Sequence, residues 1–190
     1  MPPKAKFTKQ ALIDAAIALI REHGIDALSA RNLGTRLCCS SRPIFTLYKS
    51  MNELQHDVLI QAYAHYRAYI DKETASQQYP PYKASGMAYI RFAVEEKELF
   101  KFLFMRERSK EEILADFGDP MIVERILQAN PTLTTQQASQ LYLSMWIHAH
   151  GIATMLITSY FPMSMDEISE QLTLAYLSIR DSIIEKGLSA

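Results

Sequence analysis

The chain of 190 residues has two cysteines, and they are neighbours, Cys38 and Cys39. An adjacent pair cannot cross-link distant segments, so a disulfide-stapled scaffold is excluded. Glycine is scarce, with six residues. No G-x-S-x-G, H-E-x-x-H or phosphate-cradling glycine loop occurs, which leaves no familiar catalytic signature and no expected cofactor. No apolar run is long enough to span a membrane. The opening MPPKAKFTKQ is basic but leads into no apolar signal core, so a reducing cytoplasm is the expected location. What is present, 48% hydrophobic and 22% charged residues, describes an ordinary globular chain.

The net charge of −1 hides an asymmetry. Residues 1–50 carry eight Lys/Arg (4, 6, 9, 21, 31, 36, 42, 49) against three acids (14, 22, 26). The remaining residues carry twelve basic and eighteen acidic side chains. A basic head on an acidic body suits a module that meets phosphate at one end.

Apolar periodicity is helical nearly everywhere, and no segment alternates as a strand does. Leu12, Ala15, Ala16, Leu19 and Ile20 form one stripe, with Thr8 as N-cap and Gly24 as the stop, which predicts a first helix over 8–23. Ser29 caps a second helix at 30–37 that buries Leu33 and Leu37. A turn at Cys38-Cys39-Ser40 leads to a short third helix at 41–47, with Ile44 and Leu47 inward and Pro43 tolerated in its first turn. Two short helices joined by a tight turn, with a capped helix behind them, have the form of a helix-turn-helix DNA reader.

Four S/T-x-x-E/Q capping boxes mark later helix starts: Ser50–Glu53, Ser109–Glu112, Thr134–Gln137 and Ser164–Glu167. Further helices are expected at 51–75, 82–95, around 100–105, 119–129, 135–160 and 165–187. The chain is therefore expected to be all-α, with a three-helix DNA-binding domain at 1–50 and a helical effector-binding and dimerisation domain at 51–190.

The eighth helix is apolar on nearly every side, which calls for burial all round. The ninth carries Ile168, Leu172, Ala175, Ile179 and Ile183 as a seam for helix packing. A homodimer joining helices 8 and 9 of two copies buries both, with that seam as the interface. A monomer with helix 8 as its central core helix is the alternative.

On these residues the chain resembles the TetR family of bacterial transcriptional regulators. The resemblance is strong over residues 8–56, where LSARNLGTRL-CCS-SRPIFTLYKSMNEL follows the family's helix 2, turn, helix 3 and start of helix 4. It extends to WIHAHGIATM at 146–155, similar to a tryptophan-histidine-glycine stretch in one large group of the family. The resemblance implies a homodimeric, ligand-responsive DNA-binding protein of nine helices, usually a repressor, on a double-stranded operator. This chain departs from the pattern in four places. It has Cys38 where the family often has Gly, Phe45 for Tyr, Leu47 for His and Met51 for Lys. The last three weaken generic phosphate contacts and move them to Lys4, Lys6, Ser29, Arg31, Thr46, Tyr48 and Lys49.

Helix 3 would expose Ser41, Arg42, Pro43, Phe45 and Thr46. The Arg42 fork can donate twice to guanine, and Pro43, Phe45 and the Thr46 methyl suit thymine methyl groups. Aromatic and methionine side chains in helices 4 to 8 suit a small apolar or aromatic effector, with Tyr63, Tyr66, Met87, Phe92, Phe104, Trp146 and His150 as the candidate lining. Core packing is the competing role for each. Two other classes stay open: a dimeric helical adaptor without DNA, and a helical metal-carboxylate enzyme. The adaptor leaves the basic head unexplained. The enzyme would need paired Glu-x-x-His motifs, of which only Glu53–His56 exists, so no metal or catalytic residue is assigned.

Overall fold

The computed structural model describes residues 8–107 and 120–188. Lys4, Lys6 and the Ser109–Glu112 capping box lie outside the described residues. Among those described the chain is all-helical, with nine α-helices and no strand. They are α1 (Lys9–His23), α2 (Ala30–Arg36), α3 (Arg42–Leu47), α4 (Met51–Ala75), α5 (Pro81–Glu95), α6 (Lys97–Phe104), α7 (Pro120–Ala129), α8 (Thr135–Ile157) and α9 (Met165–Leu188), with one 3-10 turn at Ile25–Ala27.

Side-chain caps set the helix starts. Thr8 Oγ accepts from Ala11 N and Ser29 Oγ from Asn32 N, each filling one of the first-turn amides that lack an intrahelical partner. The boxes at Thr134 and Ser164 close reciprocally: Gln137 and Glu167 each accept from their cap's backbone N–H, while the cap hydroxyls accept from Gln137 N and Glu167 N. These bonds favour the ionised form and hold the Glu167 carboxyl below its usual range. At Ser50 the forward bond forms, but Glu53 reaches one residue further back, to Lys49 N.

Two helix ends differ from the periodicity. α6 begins at Lys97, ahead of its aromatic run, because its first turn is polar while Leu99 and Phe100 already pack inward. α8 stops at Ile157, not near 160. Ser159 turns left-handed (φ 56), and Ser159 N and Tyr160 N bond back to Leu156 O and Met155 O. That is a Schellman closure with serine in the position that usually takes glycine.

The described residues form two compact units. The first runs to Ala68 and includes Glu95–Arg106; the second holds Tyr69–Val94 and the described residues from Glu107 onward. The division falls inside α4. In the first unit α1 packs on α2 and α6, around Leu12, Ala16, Ile20, Leu33, Ile44 and Phe100. Arg21 clasps Glu96 with two hydrogen bonds of 2.8 and 2.7 Å, tying α1 to the start of α6.

In the second unit α8 packs against both α7 and α9. Lys83 Nζ donates to Thr173 Oγ1 at 2.7 Å, and Asn130 Nδ2 donates to Tyr176 Oη at 2.7 Å, joining α5 and the end of α7 to α9. The residues of the expected dimer seam already have partners within one chain. Ile168, Leu172 and Ile183 are buried within the chain's own fold, with Ala175 and Ile179 half-buried beside them. The 4-3-4-4 spacing marks the inward face of α9. Nor is α8 buried all round. Leu143 and Ile147 are exposed, Ile147 at 59%, and Leu174 (60%) and Leu177 are exposed on α9.

Candidate nucleic-acid interface

The site is built on α2, the turn after it, and α3. Gly34 allows the turn to fold back onto α2. A Cβ there would lie 2.7 Å from the Cys39 carbonyl oxygen and 3.3 Å from the Ser40 carbonyl carbon. Cys39 N donates to Gly34 O at 2.8 Å and Cys38 N to Thr35 O at 3.1 Å. Cys38 itself is left-handed, φ 52, a conformation that costs a non-glycine residue roughly 1–2 kcal/mol. So the turn still has the shape that glycine usually serves, and cysteine adopts it.

α3 buries Ile44 and leaves Ser41, Arg42, Phe45 and Thr46 exposed, with Pro43 and Leu47 half-buried. Phe45 is 51% exposed, an apolar ring on the outer side of the helix. Thr46 Oγ1 donates to Arg42 O, so its methyl carries whatever apolar contact it makes. Ser29 Oγ is used as a cap, while Arg31 and Lys49 are exposed.

Tyr48 departs from the expected phosphate contacts. Its ring is 1% exposed, and its hydroxyl donates to Asp57 at 3.0 Å. Burial, then the Asp57 carboxylate, pushes the phenol well above its usual pKa. Lys9 lies over the ring, 4.4 Å from its centroid, and within 3.9 Å of Glu53 and Asp57. Tyr48 is therefore a bolt that fixes the end of α3 to α4 and α1. Spacing alone placed it next to Lys49 without revealing which way it faces.

The basic side chains of the head divide into two groups. Arg36 makes a double hydrogen bond with Glu22, 2.7 Å on each arm, and this pair holds the Glu22 carboxyl below its usual range. Arg21 is held by Glu96 and Lys9 by Glu53 and Asp57. Arg31, Arg42 and Lys49 make no ion pair among the described residues. Internal pairing thus removes three cations and leaves three on the α2–α3 surface.

The expected effector residues divide between the units. In the first, Tyr63 and Tyr66 meet Phe104 edge-on, with centroids 6.1 and 5.2 Å apart. In the second, Met87 and Phe92 are fully buried core residues. There too, Trp146 stacks on His150, 4.8 Å apart and 9° from parallel. The Tyr89 hydroxyl lies 2.8 Å from His150 Nδ1. Burial pushes the His150 pKa down, which favours the neutral ring beside the Tyr89 hydroxyl. Tyr89, a partner 61 positions away, carried no local sequence signal. A groove of about 630 Å³ opens between the start of α8 and the end of α9. It is lined by polar groups such as Gln137, Gln140, Ser144, Ser182 and Lys186, and by none of the expected effector residues.

Residues 82–176, half the chain, match the family profile described as "Tetracyclin repressor-like, C-terminal domain". The chain belongs to the TetR family. Solved structures similar to this TetR-family chain share its fold. A Rhodococcus sp. RHA1 protein of unknown function is 18% identical with a TM-score of 0.71, over 96% of this chain and 98% of that one. A TetR-like transcriptional regulator from the same organism is 12% identical with a TM-score of 0.62, over 96% of each chain. SmeT, the repressor of the Stenotrophomonas maltophilia multidrug efflux pump SmeDEF, is 17% identical with a TM-score of 0.57, over 94% of this chain and 91% of SmeT. No curated protein matches. No described helix is long and apolar enough to cross a membrane.

Proposed function

We propose that this TetR-family regulator is a repressor that binds a palindromic DNA operator as a homodimer, with its DNA affinity modulated by a small apolar or aromatic effector. One observation carries the DNA reading: Arg31, Arg42 and Lys49 are exposed on α2, α3 and the residue pair after α3, while the other described cations of the head are held by carboxylates. A cation already paired inside the protein has little left to offer a phosphate or a base edge. In this reading Arg42 donates to guanine in the major groove, Pro43, Phe45 and the Thr46 methyl lie against thymine methyls, and Ser41, Arg31, Ser29 and Lys49 position the backbone. Lys4 and Lys6 supply further positive charge from the N-terminal arm.

The homodimer uses α8 and α9, but through their outer faces. Leu143, Ile147 and Gly151 recur at helical spacing on α8, and Leu174 and Leu177 on α9. A Cβ at Gly151 would meet nothing within 4 Å in one chain, which leaves room for a partner helix to approach its backbone. The effector reading is supported by the Trp146–His150–Tyr89 ring cluster in one unit and by the Tyr63, Tyr66 and Phe104 rings in the other. The repressor role draws on SmeT, whose fold this chain shares.

Selection of bound duplexes from a random pool tests the proposal. Enrichment of an inverted repeat with half-sites spaced for two major grooves is expected. No enrichment would sink the DNA reading.

A further inference from the structure

Two consecutive free cysteines lie in the turn that joins α2 to α3. Cys38 is exposed and Cys39 is half-buried, and neither takes part in the DNA reading. The backbone around them has little slack. Both amides bond back to α2, and the Cys39 carbonyl occupies the space that a Cβ at Gly34 would need. Cys38 holds a left-handed conformation that its side chain disfavours. Among the described residues no group of three or more His, Cys, Asp or Glu comes together. A zinc ion, which wants three or four protein ligands, therefore finds no set here. A centre satisfied by two sulfurs needs only the two consecutive cysteines.

We propose that Cys38 and Cys39 form a dithiol site for a trivalent arsenical carrying one organic group, and that its capture distorts the turn that joins α2 to α3. The step is an exchange. An R–As=O centre loses its oxygen, two As–S bonds form, and both thiol protons leave with the oxygen as water. Arsenic stays trivalent, so no oxidant is needed. The resulting small ring runs through the Cys38–Cys39 peptide and dictates backbone angles there, against the angles that the bonds to Thr35 O and Gly34 O require. The loss of DNA binding rests on the function proposed above; the capture itself does not.

Phenylarsine oxide added to the full chain tests this, read by intact mass, amide hydrogen exchange and retention of the selected duplex. One phenylarsenic bridge per chain is expected, removed by a dithiol such as 2,3-dimercaptopropanol but not by a monothiol. Exchange should rise over α2 and α3, and duplex affinity should fall about tenfold or more. C38S and C39S should each lose the bridge while keeping wild-type helical circular dichroism. The proposal fails if no bridge forms, if monothiol strips it as readily, if either single variant still forms it, or if the bridged chain binds duplex unchanged. Should the untreated chain retain no duplex, the DNA reading falls, and the mass and exchange readings alone decide the dithiol site.

Discussion

At the scale of single residues, the division of cations selects the side chains on which the proposed DNA reading is tested. Arg42 has no acidic partner among the described residues and stands on a helix whose inner side is fixed by Ile44. Arg42→Ala is expected to cost about 1–3 kcal/mol of duplex binding and to relax one base position per half-site. Titration against duplexes substituted at each position measures this, and equal weakening on every sequence would make Arg42 a phosphate clamp. Gly34→Ala drives a methyl into the Cys39 carbonyl and should cost roughly 1–3 kcal/mol of stability, read from the urea midpoint. His150 gives a pH signature. Burial lowers its folded pKa below the ordinary 6.5, so the unfolded chain takes up the proton first as pH falls. The stability that neutral His150 contributes is complete above that pH and is lost below it. His150→Gln should flatten the denaturation midpoint across this range; an unchanged profile would place the titration elsewhere.

At the scale of elements, most of the fold was legible from local chemistry. Capping at Thr8, Ser29, Thr134 and Ser164 depends on a hydroxyl and an amide three residues away, a signal carried entirely by neighbours in sequence. Thr134→Ala should accordingly cost about 1 kcal/mol, seen in thermal unfolding as fraying at the start of α8. The end of α8 was less legible, since its closure uses a left-handed Ser159 that nothing in the local pattern demanded. The candidate site divided in the same way. Ile44 inward with Arg42, Phe45 and Thr46 outward follows from helical spacing. Tyr48 inward follows from Asp57 and Lys9, which meet it only after α1, α3 and α4 pack.

At the scale of the whole molecule, the apolar content of α8 and α9 exceeds what one chain covers. Exposed Leu143, Ile147, Leu174 and Leu177 form the surface of the proposed dimer. Ile147→Glu with Leu174→Glu is expected to turn a dimer into a monomer in sedimentation, with the helical content preserved. Duplex affinity should fall with it, because two half-sites are no longer read together. A wild-type chain that sediments as a monomer at the concentrations where it binds duplex would overturn the assembly. Affinity should also drop steeply as salt rises from about 50 to 200 mM, through counterions released from the contacted phosphates.

The sequence by itself determined the helical class, the caps and the short exposed helix α3, because each depends on periodicity or on groups a few residues apart. It also carried the resemblance that the match over residues 82–176 later made firm. Only the tertiary structure decided which faces point where. It turned the Ile168–Ile183 seam inward and left Leu143, Ile147, Leu174 and Leu177 outside. It buried Tyr48, and it spent Arg21, Arg36 and Lys9 on internal carboxylates so that Arg31, Arg42 and Lys49 remain exposed. Helical periodicity defines an apolar face but not its partner. The choice between covering that face from within the chain or from a second copy is made by packing between elements far apart in sequence.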